Sequence, residues 1–398
     1  MHRRQFLGSV AASALLGRVA RAESFPQDLK ITRIVSFDLH TRRSKLAGKN
    51  AVRGVHGHGS RDRMARLFTN MGVEGLGRCW KDKESLTALL GKNPFQAFDL
   101  ASRQMPGPLG RRTMVLWDLA GKLLNKPVYE LLDGAESKKV PVYDGSIYFA
   151  DLLPEYAPRW RDRFKEEIDM GLEAGHRAFK IKIGRGRKWM DREAGDARDI
   201  QVVETIRKHA GDDVLLAVDA NNGYDLAGAK QFLDRSSDLR LAFFEEPFPE
   251  QVEQCLELKQ FIAERGWKTL LADGEGQHEL DAYQPFVDAK AIDVLQGDMN
   301  SFGIEGILAE AAVAQPQGIL VAPHNWGSLL GFYLQLHVGH VVPNFYRAEN
   351  DPLTSDVLIA DGYQIDVGAC SVPDAPGFGL AINEHKFGDV TVNFDLKA

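Results

Sequence analysis

Lys180 and Lys182 alternate across Ile181, so on a strand both ammonium groups project from the same side. Two such groups held close lower each other's pKa, and a nearby divalent cation lowers it further. A neutral lysine at working pH is a general base. Asp219, Glu245 and Glu275 offer three carboxylates at the ends of three successive apolar runs. Hard oxygen ligands that leave room for water and substrate suit Mg²⁺. No His or Cys accompanies them, which disfavours zinc. His324 follows Val321-Ala322-Pro323, and Asp298 closes the preceding run. An Asp accepting the His Nδ1 proton fixes the tautomer and raises the basicity of Nε2. Asn221, two residues past Asp219, points to the same face as a hydrogen-bonding group for substrate or ligand.

Groups spread over so much chain must be gathered by a scaffold. Short β-rich runs at 140–144, 178–183, 215–221, 241–246, 269–275, 291–298, 318–324 and 344–349 alternate with helix-forming segments. Continuous apolar strands separated by helices predict buried parallel strands. Their spacing suits a barrel whose units average roughly 31 residues. The C-terminal strand ends of such a barrel converge on one face, and run after run here ends in an ionisable residue. A single strand-terminal Asp is often a helix N-cap; the whole series is harder to explain that way. An open doubly wound sheet would need a GxGxxG turn after its first strand, and none is there. No GxSxG elbow or HExxH is present, which weakens hydrolase readings.

Residues 28–138 have a different texture, and the segment from about 360 to 398 again looks like strands. The expectation is an α+β capping domain built from both ends of the chain, seated on a barrel at 139–359.

Of 398 residues, 44% are hydrophobic and 26% charged, an ordinary globular composition. The formal net charge of −6 gives no basis for nucleic-acid binding. Cys79, Cys255 and Cys370 show no CxxC spacing and read as buried small hydrophobes. Residues 1–22 combine Arg3-Arg4, a short apolar stretch and Ala20-Arg21-Ala22, the build of a twin-arginine export signal. The expectation is a periplasmic mature protein without a membrane span, cytoplasmic if the signal is not functional.

The series Lys180-Ile-Lys182, Val218-Asp219-Ala-Asn221, Phe244-Glu245-Glu246-Pro247, Asp273-Gly-Glu275, Asp298 and His324 resembles the enolase superfamily, mandelate racemase subgroup. Val115-Leu-Trp117-Asp118-Leu-Ala-Gly121 and Pro127 to Gly134 look like that family's entry into its barrel. The resemblance implies a modified (β/α)7β TIM-type barrel under a capping domain, a Mg²⁺ site, and a homo-oligomer between dimer and octamer. It makes Lys182 one base and His324, paired with Asp298, the other on the opposite face of the substrate. Lys180 would contact the substrate carboxylate, and Glu349 would hydrogen-bond the enolate oxygen.

The implied chemistry is removal of a proton α to a carboxylate. The enolate then regains a proton on the other face or loses a β-hydroxyl. The loop Arg53-Gly-Val-His56-Gly-His58-Gly-Ser60-Arg61 is rich in donors, and Tyr148 and Trp326 follow barrel strands. Such a polar rim, with His56, His58, Tyr148 and Trp326 as substrate contacts, favours an acid-sugar dehydratase giving a 2-keto-3-deoxy acid. The alternatives are a racemase or epimerase of a 2-hydroxy acid and a cycloisomerase of a lactone or anhydro sugar acid. From another class comes a non-catalytic exported sugar-acid binding protein, which would need neither Lys182 nor His324.

Overall fold

The computed structural model describes residues 25–97, 114–134 and 138–398; the expected export signal at 1–22 lies outside the described residues. Strands β1 (Ile31–Ala47), β2 (Gly57–Thr69) and β3 (Glu74–Arg78) form an antiparallel sheet. The C-terminal strand Thr391–Lys397 joins the other edge of β1, pairing Arg33 with Lys397 and Asp38 with Thr391. The two chain ends therefore share one sheet, and Arg33 meets Asp395 at 2.8 Å across it.

After the short helix α1 (Lys83–Thr87), helix α2 (Val115–Leu124) buries all of its residues from Val115 to Gly121. Asp118 explains its place in that apolar run: Oδ2 accepts the Leu76 amide at 2.7 Å and Oδ1 the Phe378 amide at 2.9 Å. A buried carboxylate needs such partners, and here they tie β3, α2 and the C-terminal segment together. One further turn of helix, α3 (Val128–Leu131), leads into the barrel.

The barrel alternates β4 (Val140–Ile147), α4 (Trp160–Glu173), β5 (Ala178–Lys182), α5 (Arg192–Ala210), β6 (Leu215–Asp219), α6 (Leu226–Arg235), β7 (Phe243–Glu245) and α7 (Val252–Glu264). It continues through β8 (Leu270–Asp273), α8 (Gln284–Asp288), β9 (Val294–Leu295), α9 (Met299–Ala314), β10 (Leu320–Val321), α10 (Leu329–Val341) and β11 (Ala348–Asn350). Neighbouring strands pair in parallel from β4 to β10, and β11 pairs in parallel with β4, Glu349 facing Tyr143. Tyr346 N donates to Val321 O at 2.8 Å and closes the ring. Eight strands and seven helices make this the (β/α)7β barrel. Its interior layer mixes Tyr143 and Phe243 with Ala178, Ala217, Ala272 and Ala322. Those small residues leave room for long charged side chains at the mouth.

Several strands end earlier than the sequence suggests, and for two of them the reason is identifiable. Gly274, at φ +126°, ends β8 and places Glu275 on a loop. Pro323 has no amide proton to continue the ladder of β10, so His324 follows the strand and touches Asp298 through an isolated bridge. Beyond β11, Leu353–Thr354 pairs with β1 and the Ala369–Cys370 strand pairs antiparallel with β4, so the returning chain serves both domains. All three cysteines are buried. Among the described residues no helix is long and apolar enough to cross a membrane.

Candidate active site

Every residue of β5 is buried, Lys180 and Lys182 included. Lys180 Nζ lies 2.6 Å from Glu245 Oε1, 2.9 Å from Glu349 Oε1 and 3.4 Å from Asp219 Oδ2, while Lys182 Nζ donates to Asp219 Oδ2. Burial alone disfavours an ammonium, but Glu245 and Glu349 outweigh it and hold Lys180 well above the usual lysine range. Asp219 does the same for Lys182. Lys180 does lower Lys182, as the Lys-x-Lys spacing predicts, but in the cation-free protein the carboxylates, which the spacing does not reveal, win over that repulsion.

Asp219, Glu245 and Glu275 each present an oxygen, all within 4.8 Å of one another. Burial and the neighbouring Asp219 push Glu245 well above the ordinary carboxylate range, and burial with Glu275 does so for Glu246. The acids of the mouth thus outnumber the cations Lys180, Lys182 and His324. Asn221 Oδ1 and Asp273 Oδ2 are buried beside them without a hydrogen-bond partner. Crowded oxygen donors with excess negative charge fit a hard divalent cation such as Mg²⁺. Asp219, Glu245 and Glu275 are the residues that would hold it.

Across the mouth, His324 Nδ1 lies 2.9 Å from Asp298 Oδ2, and its Nε2 lies 3.2 Å from Glu275 Oε2. Burial disfavours the imidazolium, but Glu275 and Asp298 override it and push His324 up to about 10. Asp298 is also the N-cap of α9, accepting Ser301 N at 2.7 Å, so the capping and pairing roles coexist in one carboxylate. Glu349 stands as an acceptor: Oε1 faces Lys180, and Oε2 takes the Asn325 amide at 2.8 Å. Lys180 outweighs burial and keeps it below the usual range. Donation to an enolate oxygen, the role expected for it, would require it to carry a proton.

The rim residues divide. Tyr148 and Trp326 lie 4.5 Å apart between ring centroids, His56 lies 4.7 Å from Tyr148, and Trp326 Nε1 donates to His56 Nδ1 at 3.1 Å. Lys182 Nζ is 5.3 Å from the Tyr148 ring, so that ring, backed by His56 and Trp326, walls one side of the Lys182 ammonium. His58 does not join them. Gly57, at φ +84°, turns the chain between the two histidines, and His58 lines an outer groove with His40 and Arg42. Asn221 serves the carboxylates, its amide donating to Asp219 Oδ1 at 2.8 Å and its Nδ2 to Glu246 Oε2 at 3.0 Å.

Several residues of the site went unread in the sequence. Gln296 Nε2 donates to Glu245 Oε2 at 2.5 Å; its position two before Asp298 was the available signal. Gln335 on α10 brackets the Glu349 backbone, donating to its carbonyl at 2.6 Å and accepting its amide at 3.1 Å. Arg43 of β1 pairs with Asp351 at 2.7 Å through Nε and lies 4.4 Å from the Trp326 ring. Nothing in the local sequence marks either of these.

A family model described as enolase C-terminal domain-like matches residues 163–386. A solved galacturonate dehydratase from Geobacillus sp., complexed with D-galacturonate and 5-keto-4-deoxy-D-galacturonate, is 32% identical. It superimposes with a TM-score of 0.84 over 91% of this chain and 96% of its own. A mandelate racemase/muconate lactonizing protein from Geobacillus sp. Y412MC10, complexed with magnesium and tartrate, is also 32% identical. Its TM-score is 0.85, over 92% of this chain and 95% of that one. Arabinonate dehydratase of Saccharolobus solfataricus is 28% identical over 68% of this chain and 69% of its own length.

Proposed function

The chain belongs to the enolase superfamily, in its mandelate racemase/muconate lactonizing enzyme branch, and from that membership we propose that it is a Mg²⁺-dependent acid-sugar dehydratase. One observation carries this reading: Lys182 and the His324–Asp298 pair flank the three-carboxylate cluster from strands on opposite sides of the ring. A binding protein needs neither group.

A divalent cation on Asp219, Glu245 and Glu275 supplies the positive charge that makes an α-proton acidic enough to remove. Lys180, held by Glu245 and Glu349, meets the substrate carboxylate as a fixed cation. With a cation taking up the charge of Asp219, the Lys182 ammonium would release its proton to solvent, and the neutral amine would take the α-proton. His324 Nε2, aimed by Asp298 at Nδ1, gives a proton to the departing β-hydroxyl. The C–O electron pair leaves with water, and the resulting enol ketonises. Tyr148, backed by Trp326 and His56, covers Lys182 and keeps bulk water from the base. Replacing the last proton transfer by protonation at carbon would give epimerisation, which is the second reading.

The test is proton NMR in D₂O with the Mg²⁺-loaded mature protein and a panel of aldonates, aldarates and uronates. D-galacturonate is included because the 32% identical dehydratase was solved with it. A deoxy-keto product supports dehydration, and solvent exchange of the α-proton without loss of water supports racemisation or epimerisation. Ligand affinity without either, unchanged in Lys182→Ala, would make the protein a binder. Arg3-Arg4 and Ala20-Arg21-Ala22 support export to the periplasm. Retention of an Arg3→Lys, Arg4→Lys variant in the cytoplasm, with the parent chain in the periplasmic fraction, is the expected outcome. A homo-oligomer between dimer and octamer, implied by the family, is the assembly that light scattering would size.

A further inference from the structure

The two proton-transfer groups are held by different parts of the chain. Lys182 is anchored within the barrel. Arg185, clamped by Asp151 at 2.7 Å and Asp199 at 2.5 Å, reaches the Lys182 carbonyl at 3.4 Å.

The His324 side is built differently. Asp298 caps the first turn of α9, residues 299–302, and Gly303 at φ +67°, ψ −171° breaks the helix immediately after it. Such a backbone is open chiefly to glycine. The rest of α9 therefore cannot fix that turn through a continuous hydrogen-bond ladder. The capping domain grips it instead. Arg78 of β3 donates through Nη1 to Asn300 Oδ1, and Trp117 Nε1 of α2 donates to Glu305 Oε1 at 2.9 Å just past the break. Arg78 Nε also lies 3.2 Å from Asp62 Oδ1 on β2. Asp62 in turn accepts Ser328 Oγ at 2.7 Å and Leu329 N at 3.0 Å, capping α10, the helix that follows His324.

We propose that Arg78, a capping-domain residue, is a positioning residue for the His324–Asp298 pair. It bridges the isolated turn that carries Asp298 to the start of the helix that follows His324, and so sets the aim of the imidazole. The proposal rests on the reading of this pair as a proton-transfer group. It is specific to one half of the mouth, because Lys182 draws its support from Arg185 instead.

Arg78→Met removes the bridge, Arg78→Lys keeps the charge toward Asp62 without the fork, and Asn300→Ala cuts only the α9 end. With the substrate that the panel identifies, Arg78→Met and Asn300→Ala are expected to lower kcat roughly 10- to 100-fold with KM within about twofold. Arg78→Lys should recover part of the loss. In a His324→Asn background, Arg78→Met should cost nothing further in residual α-proton exchange. A loss confined to KM, or an undiminished loss in the His324→Asn background, would overturn the proposal. So would unchanged kcat in both variants. If Arg78→Met fails to fold, Asn300→Ala, at a partly exposed position, carries the test alone. The ¹⁵N shifts of the His324 ring, assigned against His324→Asn, give a readout that needs no substrate. They should change in Arg78→Met or Asn300→Ala and not in Arg185→Lys. A parent protein inert on the whole panel would defeat the functional reading, and these shifts would still decide this one.

Discussion

His324 and His337 sit on either side of one loop, at the barrel mouth and inside α10, and the fold drives them to opposite charge states. His324 faces Glu275 and Asp298 and is pushed up to about 10. His337 is fully buried among Tyr129, Tyr363 and Phe378, and burial, helped by His340, pushes it down to about 3. Its Nδ1 accepts the Tyr129 amide at 3.1 Å, and its Nε2 lies 2.7 Å from the Tyr363 hydroxyl. Burial opposes charge at both histidines, so burial does not distinguish them. The carboxylates do. One site is arranged to gain and lose protons, whereas the other spends the same side chain as a fixed neutral pair of hydrogen-bonding atoms.

Breaking the charged region should have the largest effect. Lys182→Ala is expected to lower turnover by roughly 10²- to 10⁴-fold with ligand affinity largely kept, as measured by steady-state kinetics and calorimetry. His324→Asn should also cost up to about 10⁴-fold in dehydration, and α-proton exchange promoted by Lys182 should survive it in D₂O. Retained dehydration in this variant would remove His324 from the proposed mechanism. Chelation with EDTA should abolish activity and lower Tm, and Mg²⁺ should restore both, since a ligand bound only by the folded state stabilises it. A Tm indifferent to Mg²⁺ would show that the acid cluster holds no cation.

The neutral region predicts the reverse pattern. His337→Phe should leave kcat per folded molecule unchanged and cost about 1–3 kcal/mol in denaturant unfolding, because the Tyr129 amide and Tyr363 hydroxyl lose a buried partner. The smallest effect is in the pH profile of stability. His337 has a folded pKa below its unfolded one, so its contribution is whole above about 6.5 and falls away as pH drops towards about 3. His324 has a raised one in the cation-free protein. Its contribution is whole below about 6.5 and is lost as pH rises through about 10. Unfolding followed from pH 3 to 10 in EDTA should therefore lose its acid limb in His337→Phe and its alkaline limb in His324→Asn.

The barrel was legible because its strands are buried on both faces and read as apolar runs closed by charged residues. Ala178-Phe-Lys-Ile-Lys182 shows this plainly, since nothing but a functional mouth asks for two lysines on a buried strand. His56 and His58 were not separable by type or spacing. They parted because a left-handed glycine between them turned one into the mouth and the other onto the outer groove. Gln335, Arg43 and Asp351 act from far along the chain, and no local pattern marks a residue whose partner is chosen by packing.

The alternation of strands and helices, the parity that sets Lys180 beside Lys182, and the oxygen-only donor set of Asp219, Glu245 and Glu275 can all be read along the chain. These follow from periodicity and side-chain chemistry, which are local. The charge balance of the mouth belongs to the closed ring, which surrounds both lysines with carboxylates, sets Glu349 between Lys180 and the Asn325 amide, and ties the His324 side to the capping domain through Arg78. Electrostatic interaction depends on distances in space, and those distances exist only once the ring of strands has closed.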